Sequence, residues 1–386
     1  MKPISSYRDL FPGLNKQAYF MTNSLGAMPS TVGPALQEMM QTWSDHGANA
    51  WEKWVPKSEA VANQLGRLIG AKPGTVALHL NVSSIMAMIL SSYDFKASKR
   101  NKIVYTDMDF PTLHYLADTW QGYGAVLHKV PSRDKIGVDL EEFLAAIDEN
   151  TLLVPTCQVF FGSSFKQDIA AITKRAHQVG ARVIADVYQS VGAMPIDVTA
   201  WNVDYAIGGS HKYLCGGSGA GFLYVRPDLV DCVHPRVTGW LSHAQAFEMK
   251  CDPMKWADGM QRFMGGTPSV APMYVAPCGY SIVEEIGLGR IREESIRHTE
   301  RLIEWADKLG FEVRSPRKVE NRGGSVHVRF KGIEKAQALL EKRGFLVHYR
   351  EAYQGLRISP HFYNTMEEID SLMNALGEIS KEVSRA

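Results

Sequence analysis

TLLVPTCQVFFGSSFKQDIAAITKRAHQVGARVIAD, residues 151–186, reads as strand, helix, strand. Thr151 to Thr156 is a short apolar run, Ile169 to Val179 repeats apolar residues at helical spacing, and Ala181 to Asp186 returns to the pattern of a buried strand. Two such strands joined by a crossover helix are parallel, so the chain is α/β with a mostly parallel sheet flanked by helices. Outward from this unit, TVALHL (75–80), KIVYTD (102–107), DYAIGG (204–209) and AGFLYV (220–225) have the same strand texture. From about Val283 the texture changes to a long charged amphipathic helix through Ala306, then shorter strands (FEVRS, SVHVRF, FLVHYR, LRISP) and two helices. These patterns predict a large domain over 72–283 and a smaller C-terminal α/β domain over 284–386. The segment 1–71, with helix and loop patterns and several Trp, is expected to pack across both. No internal repeat or low-complexity linker is visible.

With 386 residues, 45% hydrophobic and 10% aromatic, the chain can bury a large core. Its 42 basic and 41 acidic residues leave a net charge of +1 without long runs of either sign, which points away from nucleic acid and membrane surfaces. No apolar run approaches the roughly 18 residues a membrane helix needs, and MKPISSYRDLFPGLNKQ does not resemble a targeting segment, so a cytoplasmic location is expected. Cys157, Cys215, Cys232, Cys251 and Cys278 are widely spaced, without a CxxC pair, as suits reduced thiols rather than disulfides or a metal site.

Ligands of open parallel sheets gather at the carboxyl ends of the strands, so the residues there are the first candidates for chemistry. After TVALHL, Val82, Ser83 and Ser84 open an apolar helix; free backbone N–H groups and hydroxyls there make an anion site, or an ordinary N-cap. Phe110, after KIVYTD, either covers a flat cofactor or simply packs. Asp186 ends a buried run, where a carboxylate needs a cation or a donor: a pyridinium nitrogen, a helix N-terminus or a salt bridge. DYAIGG leads into Ser210-His211-Lys212 and the glycine-rich CGGSGAG. A lone lysine is ordinarily solvated, but one at a strand end in this company suits an amine that loses its proton and forms an imine.

The stretch ADVYQSVGAMPIDVTAWNVDYAIGGSHKYLCGGSGAGFLYV (185–225) resembles the core signature of the class V aminotransferase family of fold-type I enzymes dependent on pyridoxal 5'-phosphate (PLP). The resemblance covers nearly the whole chain. It implies a seven-stranded, mostly parallel sheet, PLP as cofactor and an amino-acid substrate. It also implies Lys212 as the Schiff-base lysine, Asp186 on the ring nitrogen, Gln189 near the phenolic oxygen, Phe110 stacked on the ring, and Val82, Ser83, Ser210 and His211 around the cofactor and its phosphate. YFMTNSLGAMP (19–29, with Asn23 facing substrate), GWLSH (239–243) and FMGGTPSV (263–270) resemble kynureninases. There the counterparts of Trp240 and Thr267 reach the phosphate from a partner subunit, implying a homodimer with shared sites. GLRISPHFYNTMEEID (355–370) resembles the segment whose arginine binds the substrate carboxylate, which makes Arg357 the recognition residue.

Differences bear on the reaction. Kynureninases carry Tyr where His211 stands, His at Gln189, Asp at Leu113 and Asn near Thr267. Cysteine desulfurases match His211 and Gln189 but need a loop cysteine that Phe345 to Gly355 lacks. Where the family commonly has His, this chain has Gln158. The implied reaction is cleavage of an amino-acid side chain at a C–S or C–C bond, by a lyase or a kynureninase-like hydrolase. Transamination is the alternative, and a catalytically silent PLP-binding protein a third. Substrate choice is expected to lie in the loops around Asn23, Trp51 to Trp54 and Tyr349 to Tyr353, with His79, His114 and His243 as further proton-transfer candidates.

Overall fold

The computed structural model describes residues 2–385. Along the chain the strands are β1 (Ala18–Tyr19), β2 (Val76–His79), β3 (Lys102–Thr106), β4 (Val126–Val130), β5 (Thr151–Cys157), β6 (Arg182–Asp186), β7 (Tyr205–Gly209), β8 (Gly221–Val225), β9 (Glu312–Val313), β10 (Val326–Arg329), β11 (Phe345–Leu346), β12 (His348–Arg350) and β13 (Gly355–Ile358). Seven of them form one sheet in the order β2-β8-β7-β6-β5-β3-β4, in which only β8 runs against the others. The sheet is therefore seven-stranded and mostly parallel, as expected. Six of its strands are legible as apolar runs. The seventh, β4 (VLHKV), is an edge strand with only Val130 buried, so burial imposed no apolar pattern on it.

Both faces of the sheet are covered, and alternate residues divide between them. Val104, Val154, Val183 and Ala206 join one core, whereas Ile103, Leu153, Ile184 and Ile207 join the other. Between β5 and β6 the crossover helix Ile169–Gln178 starts where the Asp168 carboxylate accepts the Ala171 N–H (2.9 Å). It ends at Gly180 with φ 75°.

Strands β12-β13-β10-β9 form a second, antiparallel sheet, packed against helices Leu288–Leu309 and Met366–Arg385 over a third core that includes Leu302, Val328, Leu356 and Leu376. The single helix expected from about Val283 through Ala306 is two: Ala271–Ile286 and Leu288–Leu309, separated by Gly287 at φ 87°, outside helical space. Near the N-terminus, Tyr7, Phe11 and Leu14 enter the first core while Phe20 enters the third, and β1 pairs with β11. None of the described helices is long and apolar enough to cross a membrane.

The interior holds several neutral histidines. Burial pushes His361 down to about 3 and His298 and His327 down to about 4, from an ordinary 6.5. Below pH 6.5 the unfolded chain then binds more protons than the folded one, so stability falls with pH between 6.5 and about 4. Calorimetry across that window is expected to show a steadily falling Tm; a flat Tm would contradict the burial of these imidazoles as neutral groups.

Candidate active site

The carboxyl ends of β2, β3, β5, β6 and β7 open into a cavity of about 900 Å³, closed on its other side by β12, β13 and the N-terminal segment. Nine of the twelve residues expected to be catalytic or to bind cofactor or substrate line it: Asn23, Val82, Ser83, Phe110, Asp186, Gln189, His211, Lys212 and Arg357.

Lys212 follows β7, and its Nζ lies 4.4 Å from the centroid of the Tyr188 ring and 5.6 Å from that of Phe110. Burial lowers its pKa to about 8; Asp186 opposes that shift, and the Arg357 guanidinium adds to it. An amine in this state is available as a nucleophile or base near neutral pH. Asp186, at the end of β6, accepts the Tyr188 N–H at 2.8 Å and has the Cys157 thiol 3.8 Å from its other oxygen. Burial raises its pKa. A carboxylate so placed lacks a close cation, and a protonated heterocyclic nitrogen would satisfy it.

Other polar groups in the cavity also have free valence. Both side-chain polar atoms of Asn23 are buried without a partner, as is Nε of Arg357, whose Nη1 donates to the Phe161 carbonyl at 2.8 Å. Gln189 donates to the Asn23 carbonyl at 3.2 Å. The helix Val82–Ser91 is capped by Asn81, whose Oδ1 accepts the N–H and hydroxyl of Ser84, both at 2.9 Å. The cap is thus Asn81 rather than a serine, and Val82 and Ser83, the first two residues of the helix, line the cavity, where a helix N-terminus suits an anion. Phe110 precedes Pro111 at the start of the next helix and meets Phe161 edge-on at 5.1 Å. This set fits PLP: a buried acid for a ring nitrogen, an aromatic wall, a helix N-terminus for phosphate and an amine for the aldehyde.

The N-terminal segment is locked onto the lysine loop. The Gly26 N–H donates to the His211 carbonyl at 2.6 Å, and a Cβ on Gly26 would stand 2.2 Å from the Lys212 carbonyl oxygen. Only glycine allows this approach, which holds Asn23 in the cavity.

Three residues lie elsewhere. Ser210, expected at the phosphate, turns its hydroxyl to the Ala220 carbonyl (2.7 Å) and to the Tyr280 hydroxyl, because the β7–β8 end closes over it. Trp240 and Thr267 hydrogen-bond each other (Nε1 to Oγ1, 3.2 Å) outside the cavity, with Trp240 39% exposed. Of the loops expected to set substrate choice, the tryptophan pair packs into or against the first core, where Trp54 donates to the Tyr274 hydroxyl (3.2 Å). His114 does line the cavity, whereas His79 and His243 do not.

Several lining residues escaped the sequence reading. The Tyr188 hydroxyl meets His211 Nδ1 at 2.8 Å, and burial pushes the tyrosine up and His211 down to about 4, so both are neutral. Asp109 follows a buried strand as Asp186 does, and the same rule would have flagged it. It is satisfied by the N–H groups of Thr106 (2.8 Å) and Cys157 (2.6 Å), with its pKa raised to about 6 by burial. Arg350 and Tyr353 fall in the loop around Tyr349 to Tyr353 expected to bear on substrate choice, and both line the cavity from the second sheet and its connection.

A buried amine and a buried carboxylate at the carboxyl edge of a mostly parallel seven-stranded sheet define the fold-type I class of PLP-dependent enzymes. The family model described as Aminotransferase class-V matches residues 29–372, and the chain belongs to that family. It is 31% identical over 375 residues to the uncharacterized aminotransferase YcbU of Bacillus subtilis (97% of this chain, 96% of that one). Kynureninase of Pseudomonas fluorescens is 30% identical over 384 residues (94% and 88%). Among solved structures, an apo cysteine desulfurase from Thermococcus onnurineus superposes with a TM-score of 0.87 at 22% identity (99% of both chains). The cystine C-S lyase C-DES, in complex with cysteine persulfide, gives 0.86 at 20% identity (95% and 99%). The last two likenesses speak to the fold.

Proposed function

We propose that this enzyme binds an α-amino acid and cleaves its side chain at a C–S or C–C bond, as a lyase or kynureninase-like hydrolase. One observation carries the amino-acid reading: the free amine of Lys212 and the buried, incompletely bonded guanidinium of Arg357 share one cavity. PLP, when bound, supplies an electron sink for charge developing at the substrate's α-carbon. Lys212 would hold the cofactor's aldehyde through its amine and, once free, would serve as the base for the substrate's α-proton. Asp186 would keep a proton on the ring nitrogen, Gln189 would lie near the phenolic oxygen, and Phe110 would cover the ring. Val82 and Ser83 would take the phosphate and His211 would lie beside the cofactor. Ser210, first expected on the phosphate, would brace the loop through Ala220 and Tyr280, and Trp240 and Thr267 would reach the phosphate in the site of a second subunit of a homodimer. Their position outside their own cavity supports that reading. Arg357 forks the α-carboxylate.

Side-chain cleavage is favoured by the docked segment around Asn23, whose unpartnered amide lines the cavity, and by the kynureninase relatives. The similarity to YcbU favours transamination as the second reading. The two separate on product analysis with a panel of amino acids: cleavage gives a side-chain fragment while the cofactor returns to its aldehyde form. Accumulated pyridoxamine phosphate without a fragment would defeat cleavage. We further propose a large domain over 72–283 and a small one over 284–386. The segment 1–71 bridges them, a division supported by its division between two cores. A cytoplasmic location completes the reading.

A further inference from the structure

We infer that the substrate carries a second anionic group besides its α-carboxylate, and that Arg350 recognises it; this rests on the amino-acid reading above. Arg350 is the last residue of β12 and pairs with Gly355 on β13, while His348 pairs with Arg357. Residues two apart on a strand share a face, so Arg350 and Arg357 are diagonal neighbours on the face that lines the cavity. Among the described residues neither guanidinium is ion-paired. The hairpin that carries Arg350 is also pinned. Its connection includes Tyr353, whose ring lies so close over Gly162 that a Cβ there would stand 2.2 Å from it and which meets Phe161 edge-on at 5.5 Å.

Two unpaired cations held on one face repel each other, and Arg350 indeed helps depress Arg357, second to burial. One α-carboxylate relieves one of them. Lining acids are poorly placed to relieve the other: Asp109 is satisfied by backbone N–H groups, Asp107 is paired with Lys135, and Asp186 faces Tyr188 and Cys157. Asp118 and Lys129 carry opposite charges in equal number. His327 and His348, which flank Arg357 on either side, are held neutral by burial, at about 4, and add no charge. The excess is a guanidinium facing the place of the substrate side chain, as suits a carboxylate, sulfinate or phosphate there.

The test uses the PLP-loaded enzyme and follows the cofactor's absorbance on titration with L-aspartate and L-glutamate, and with their neutral isosteres L-asparagine and L-glutamine. O-phospho-L-serine against L-serine extends the series. At least one anionic member is expected to bind about tenfold tighter than its neutral counterpart. Arg350→Gln should erase that difference and leave the neutral amino acids unchanged, whereas Arg357→Gln weakens both kinds. Equal weakening of both kinds by Arg350→Gln would overturn the inference, since Arg350 would then be a second clamp on the α-carboxylate. Lack of discrimination in the wild type would overturn it too, with the amino-acid reading intact. A cofactor band that responds to no amino acid would sink that reading and the inference with it.

Discussion

Replacing Lys212 with alanine is expected to lower kcat/KM by roughly 10⁴-fold, the upper range for loss of a positioned base, because the same amine is also proposed to anchor the cofactor. The structure puts nothing in its place. Around Nζ stand the Tyr188 and Phe110 rings, and neither can accept a proton from carbon. His211 is neutral but has its Nδ1 engaged by Tyr188. The decisive measurement is independent of turnover. Borohydride should fix the cofactor to wild-type protein so that the chromophore survives denaturation, and should leave it free in the variant. Retention of a covalent chromophore by Lys212→Ala would remove this lysine from its assigned role. Folding should be little affected, since the side chain extends into the cavity and its burial lowers its pKa to about 8, a sign of desolvation cost rather than of stabilising contacts.

Asp186→Asn is the second large effect. Breaking one side of a buried charge pair costs about 3 kcal/mol, so kcat is expected to fall roughly 10²-fold. The amide keeps the shape and still accepts the Tyr188 N–H (2.8 Å in the wild type), so protein stability should change little. What is lost is the charge that favours a proton on the ring nitrogen. Without a bound cation, burial raises the Asp186 pKa, and the wild-type cofactor-free protein should take up this proton at higher pH than an exposed aspartate would. A variant with full activity would show that ring protonation does not matter to this reaction.

Much of this site can be read in the sequence because strand ends announce themselves. An acid or lysine at or within three residues of the end of a buried β-run, as Asp186 and Lys212 are, conflicts with its surroundings unless a ligand resolves the conflict. The same logic applied to Asp109 points to a residue that the fold satisfies internally. Tyr188 gave no such signal, since an aromatic residue between an acid and a glutamine reads as packing. Ser210 shows the opposite case: its neighbours suggested phosphate, and the partners its hydroxyl takes, Ala220 ten residues on and Tyr280 seventy residues on, are set by the packing of β7 and β8 and not by its local sequence.

By itself the amino-acid sequence determined the α/β class and six of the seven strands of the large sheet, because burial and backbone periodicity are local properties that each strand carries with it, and its resemblance to a known family pointed to the cofactor. The tertiary structure alone decided that β12 and β13 from the second sheet bring Arg350 beside Arg357 into a cavity built from the first. It also decided that Gly26 clamps the N-terminal segment over Lys212. Such contacts join residues whose spacing along the chain has no relation to their spacing in space. Their charges and shapes become meaningful only once the two sheets have packed.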